Sequence, residues 1–86
     1  MLKAHEAREI SNGYNAEAAN RMRNHIEALI KQRAKDGLYW MPYDYGFNMS
    51  EDGVTRKEVY QICCELRSAG YDVKDHIHFR EMVIRW

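Results

Sequence analysis

The stretch LYWMPYDYGF, residues 38–47, carries five aromatic side chains, Tyr39, Trp40, Tyr43, Tyr45 and Phe47, within nine positions. Aromatic faces stack on nucleobases, and tyrosines on a polar loop offer a ring and a hydroxyl at low entropic cost. The same residues at period two make one wall of a hydrophobic core. Alternation sets Tyr39, Met41, Tyr43, Tyr45 and Phe47 on one face of an extended segment, with Trp40, Pro42, Asp44 and Gly46 on the other. Pro42 lacks the N–H that a ladder needs, so this strand sits at an edge or ends early. Tyr39 and Met41 are therefore expected to be wall. Tyr43, Tyr45 and Phe47, set among Gly, Asn and Asp, are expected to face solvent, and with Trp40 they form a candidate binding site. Arg21 and Arg23 are the cations to complete it, because a stack plus a guanidinium suits the ring and phosphate of a nucleotide-like ligand held between subunits. On this reading, replacing Tyr43 and Tyr45 together by Ala spares folding and abolishes binding. The plainer reading of Arg21, Arg23, Lys31, Arg33 and Lys35 is a solvated helix face with cations near the C-terminal dipole.

The remaining reactive residues point away from catalysis and metals. Cys63 and Cys64 are adjacent, and His76 and His78 share a strand face, but neither pair has the C-x₂₋₄-C or H-x₃₋₅-H spacing of a zinc site. Cys64 with His76 or His25 lacks any glycine elbow or oxyanion-hole motif. No G-x-G-x-x-G, Walker A or H-E-x-x-H sequence occurs. The expectation is a protein that is not an enzyme and uses neither metal nor cofactor.

Composition narrows the class. Eighty-six residues make one domain, 1–86, with a modest core. Neighbouring cysteines cannot staple distant parts of it, which fits a reducing compartment, the cytoplasm of a bacterial cell on the resemblance below. No run approaches the roughly 20 apolar residues of a membrane span. Thirteen basic and thirteen acidic residues give zero net charge. That balance counts against a general nucleic-acid binder, whose affinity is mostly phosphate neutralisation, and does little to oppose self-association.

The elements follow from periodicity and punctuation. Ala7, Ile10, Tyr14, Ala18, Met22, Ile26 and Leu29 recur every three or four positions, predicting a helix over 3–36 that stops at Gly37. Such a helix runs ~50 Å, whereas a compact domain of this length is about 30 Å across. Either the chain breaks near Gly13 or the helix overhangs and pairs with a copy of itself. Pairing is the expectation, with Ile10, Tyr14, Ala18 and Met22 at the oligomer interface. A strand over 38–43 and a loop over 44–54 come next. A T-x-x-E capping box at Thr55 and Glu58, with Val54 and Val59 in the staple positions, opens a helix over 55–69 that Gly70 ends. Strands over 71–75 and 79–86 complete a two-layer α+β fold of order αβαββ, helices packed on a small, mostly antiparallel three-stranded sheet.

The segments KAHEAREIS (3–11), DGLYW (36–40), ELRSAGYDV (65–73) and VIRW (83–86) resemble small uncharacterised proteins of tailed bacteriophages. Those begin with a K-A-x-E-A-R-x-I-S helix, continue through G-x-Y-x-I and L-x-x-x-G-Y-x-V, and stop at I-S-W. This chain departs from the pattern in its aromatic loop and in Arg85, which stands before the final Trp. The resemblance supports the αβαββ order and implies a phage accessory protein that acts by binding, either on a host or defence protein or by sequestering a nucleotide-like molecule. It carries over no catalytic residue. A nucleic-acid-binding regulator and a minor structural virion protein are the alternatives.

Overall fold

The computed structural model describes residues 1–86 except for residues 12–15, whose side chains lie outside the described set. The break weighed at Gly13 and the interface contact expected of Tyr14 both fall there. The elements are α1 (Ala4–Lys35), β1 (Trp40–Asp44), α2 (Gly46–Ser50), α3 (Arg56–Ser68), β2 (Asp72–His76), a 3-10 turn (Ile77–Phe79) and β3 (Glu81–Arg85). The architecture is α+β: long helix, second helix and a three-stranded antiparallel sheet.

Both long helices end as glycine dictates. The Gly37 N–H donates to Ala34 O and the Leu38 N–H to Arg33 O, both at 3.0 Å, with Gly37 at φ 79°. Gly70 (φ 102°) and Tyr71 repeat the pattern on Arg67 and Leu66. Each is a Schellman closure, in which the residue after the cap takes a left-handed conformation that costs glycine nothing. The first closure also corrects the expected start of β1. Leu38 is consumed in capping α1 and Tyr39 precedes the sheet, so Tyr39 is 70% exposed, where a wall residue was expected. At the start of α3 the capping box forms: Thr55 Oγ1 accepts from the Glu58 N–H at 3.2 Å, and Glu58 Oε1 accepts from the Thr55 N–H at 3.0 Å. Val54 and Val59 are both buried beneath it.

The strands run in the order β1-β3-β2, so β3 is central and Pro42 lies in an edge strand. Met41, Ile84 and Val73 form one row of the inner face, and Tyr43, Met82 and Asp75 form the next. α1 packs against β1 and α3 against β2 on that face. Trp40, Pro42, Asp44, Asp72, Lys74 and His76 lie on the other side, exposed, as an antiparallel sheet with one wet face allows.

The core side chains of α1 are Ala18, Met22, Ile26 and Ile30, joined from α3 by Val59, Ile62 and Cys63. Ala18 and Met22 are fully buried in their own subunit and so cannot serve as the oligomer interface expected of them. Ile10 is 65% exposed. The molecule measures 55 × 25 × 23 Å. A 32-residue helix accounts for about 48 Å of the long axis, and its N-terminal part projects beyond the packed body.

Candidate functional site

The expected aromatic site divides. Tyr45 has no exposed surface and Tyr43 retains 5%. Neither ring has a free face for stacking, which corrects the expectation that both meet a ligand. The cause is strand alternation carried one step further than Pro42 suggested: Met41, Tyr43 and Tyr45 all turn inward, and polar partners satisfy the phenols. Tyr43 donates to Asn48 Oδ1 at 3.0 Å, with His25 Nδ1 at 3.3 Å from the same hydroxyl and the His25 ring edge-on at 5.7 Å. Tyr45 donates to Asp75 Oδ1 and accepts from Arg56 Nη1 at 2.7 Å, and Arg56 Nη2 pairs with Asp75 Oδ2. This second network ties the α2 loop, the first turn of α3 and β2 together.

The two arginines also part company. Positions two apart on a helix lie about 200° apart around its axis. Arg23 forms a two-pronged ion pair with Glu65 of α3, Nε to Oε1 at 2.8 Å and Nη2 to Oε2 at 2.9 Å, and also donates to Asn20. It rims a groove of about 330 Å³ between α1 and α3, floored by Ile26, Ile30, Ile62 and Leu66. Trp40 is 46% exposed on the outer sheet face, with the Arg33 guanidinium 5.3 Å from its ring centre. Trp40, Arg23 and Tyr45 therefore do not share a site.

Three of the expected residues do converge. Arg21, Tyr43 and Phe47 line an open cleft of about 470 Å³ with His25, Asp44, Asn48 and Asp52. α1 contributes Arg21 and His25, one turn apart on the same face. β1 contributes Tyr43 to the floor and exposed Asp44 from its end, and α2 with its following loop contributes Phe47, Asn48 and Asp52. Asp44 Oδ1 accepts from the Gly46 N–H at 2.8 Å, fixing the turn into α2 and with it the Phe47 ring, which is 64% exposed. His25, Asn48 and Asp52 were not recognised in the sequence. The four-residue spacing of Arg21 and His25 was the available signal, whereas nothing local marks Asn48 as buried.

Beside the cleft, the 3-10 turn leaves Ile77 and Phe79 57% and 80% exposed. Arg80 closes it in the left-handed region at φ 49°, an uncommon conformation for a residue with a side chain. The Tyr45 N–H donates to Arg80 O at 2.9 Å, so this tip and the Phe47 segment occupy the same end of the sheet.

Burial raises the pKa of both core phenols. For Tyr43 the carboxylates Asp52 and Asp44 add to desolvation, against the hydrogen bond to Asn48; for Tyr45 the bond to Asp75 adds to it, against Arg56. Burial also pushes the Cys63 thiol up. Below the ordinary tyrosine value of 10.0, folded and unfolded phenols are both protonated and their contribution is constant. Above it the unfolded chain releases protons that the folded chain keeps, so stability falls. These three groups should leave the urea midpoint unchanged between pH 7 and the ordinary thiol value of 9.0 and lower it steadily above 10.0, with tyrosinate absorbance lagging in the native protein.

Comparison with protein families, with curated proteins and with solved structures finds no match. Among the described residues no three His, Cys, Asp or Glu side chains gather as a metal set, and no helix is long and apolar enough to cross a membrane.

Proposed function

We propose that this chain is a non-enzymatic accessory protein of the phage type that acts by binding a partner protein, with the end of the sheet bearing Ile77, Phe79 and Phe47 as its docking surface. The observation that carries this is Phe79, an aromatic ring 80% exposed at a hairpin tip, with two further large apolar side chains at the same end of the sheet. Such gatherings on a small domain mark interaction surfaces, because water makes their exposure unfavourable unless a partner covers them. The nucleotide-sequestering alternative loses its stacking pair to the core. Phe79→Asp is expected to keep the native melting temperature and to abolish capture of the partner from a bacterial host extract. Tyr60→Asp, also at an exposed position but on α3, should capture normally. Equal capture by wild type and Phe79→Asp would defeat the reading.

Self-association through α1 is a second reading, favoured by the helix projecting past the body with Ala7 and Ile10 uncovered. An isolated helical segment of that length is marginal in water without packing. Native mass spectrometry of wild type and Ile10→Asp tests it: an oligomer that the substitution dissolves supports pairing along this segment, and a monomeric wild type removes it.

A further inference from the structure

The cleft between α1, β1 and α2 has a charge pattern opposite to the one a nucleotide needs. Asp44 and Asp52 line it against the single guanidinium of Arg21, so the carboxylates in its lining outnumber the guanidinium by one. The negative potential reaches the floor, where both carboxylates push the pKa of the Tyr43 phenol up. Phosphate oxygens entering here meet two carboxylates against one guanidinium. A cation meets two carboxylates, the Tyr43 and Asn48 oxygens at the floor and an exposed phenyl ring at the lip.

We infer that this cleft takes the cationic side chain, lysine or arginine, of a basic segment in a bound protein. The Phe47 face suits the aliphatic stem and the charged head by cation–π attraction. Asp52, on the far side of α2, suits the head by a charge-assisted hydrogen bond. Asp44 is already engaged by the Gly46 N–H and contributes field more than a new bond. Arg21 shares the lining and offsets part of the carboxylate charge. The volume of about 470 Å³ exceeds one side chain, leaving room for the flanking backbone of the guest.

This inference rests on the partner-protein reading, and the test separates the two. The full chain, isotopically labelled, is titrated with a short Gly/Ser peptide carrying one central arginine, with its citrulline counterpart and with adenosine monophosphate. The arginine peptide should move the amide signals of Phe47, Asn48 and Asp52 saturably. Citrulline, which keeps the shape and drops the charge, should bind at least about tenfold more weakly, as should the arginine peptide at high salt. Asp52→Asn, which removes one of the two carboxylates from the lining, should weaken the arginine peptide about fivefold or more with the melting temperature unchanged. Phe47→Ala provides a second variant, exposed and independent of any refolding at Asp52. Equal binding of the citrulline peptide, absence of saturable shifts, or tighter binding of the nucleotide would each overturn the inference. If the peptide fails while Phe79→Asp still abolishes partner capture, the cleft assignment falls alone. If the peptide binds and Phe79→Asp captures normally, the docking surface falls and the cleft stands.

Discussion

The Tyr43→Ala/Tyr45→Ala double variant is expected to be unfolded at room temperature without denaturant, the reverse of what a surface aromatic pair would give. Truncating a buried aromatic to Ala costs about 3–5 kcal/mol. A domain of 86 residues has a total stability of roughly 4–13 kcal/mol. The two sites are close in the chain, so their costs need not add, yet even one and a half of them, about 4.5–7.5 kcal/mol, consumes most of the lower half of that range. The loss also strands polar groups: Asn48, 7% exposed, loses its Tyr43 partner, and Asp75 loses the Tyr45 hydroxyl. Tyr43→Phe isolates the hydroxyl and should cost about 1 kcal/mol. Phe47→Ala, on the surface, should stay within roughly 0.5 kcal/mol of wild type. Circular dichroism and urea melts distinguish these outcomes, and a natively folded double variant would show that the rings lie outside the core.

Arg56→Met should be the most damaging charge deletion. Arg56 opens α3 and holds both the Tyr45 hydroxyl and the Asp75 carboxylate, whose side chain is only 14% exposed. Removing it leaves that carboxylate with one donor. Breaking a fully buried pair costs about 3–5 kcal/mol. Here the arginine side chain is 39% exposed, so solvent screens the pair and the expected loss is about 2 kcal/mol. Deleting a cation at a helix N-terminus returns a few tenths through the dipole, too little to change the sign. Adding Asp75→Asn should recover about half of the loss, because the uncompensated charge is gone. A double-mutant cycle in urea reads the coupling, expected at about 1–2 kcal/mol. Additive single costs would show that the network is not cooperative.

What the chain discloses in advance is its local punctuation. Gly37 and Gly70 mark the ends of α1 and α3, and Thr55 with Glu58 marks the start of α3, because each depends on atoms within four residues. The α+β class follows from that punctuation plus a change of period. Length alone posed the choice between a break near Gly13 and an overhanging α1 without deciding it. What stayed hidden depends on partners far away in sequence. α2 is five residues long, too short for any period to show. Tyr45 is buried because Asp75, 30 positions later, accepts its hydroxyl, and Arg23 is unavailable because Glu65 claims it from another helix. Tyr43 looked exposed among polar neighbours, yet it is covered by His25, 18 positions earlier on α1, and bonded by Asn48 from the short α2. The cleft is a product of the same inward turn: its floor exists only because Tyr43 and Asn48 went inside.

The placement of β3 bears on how this chain is made. β1 and β2 pair with β3 and not with each other, and β3 follows both in sequence. On a ribosome, β1 and β2 therefore emerge as strands with no neighbour to accept. Their pairing waits for Glu81–Arg85, which follows all three helices in sequence. Once those five residues arrive, the β2–β3 hairpin spans a short turn, while Trp40 must find Arg85 across the whole of α2, α3 and β2. Local closure precedes distant closure because shorter loops form at smaller entropic cost. The sheet should then zip from β2 toward β1, and the contact of α1 with β1 completes last. For a nascent chain, the interval before Glu81 is when its apolar helix faces are most open to chaperones and to aggregation.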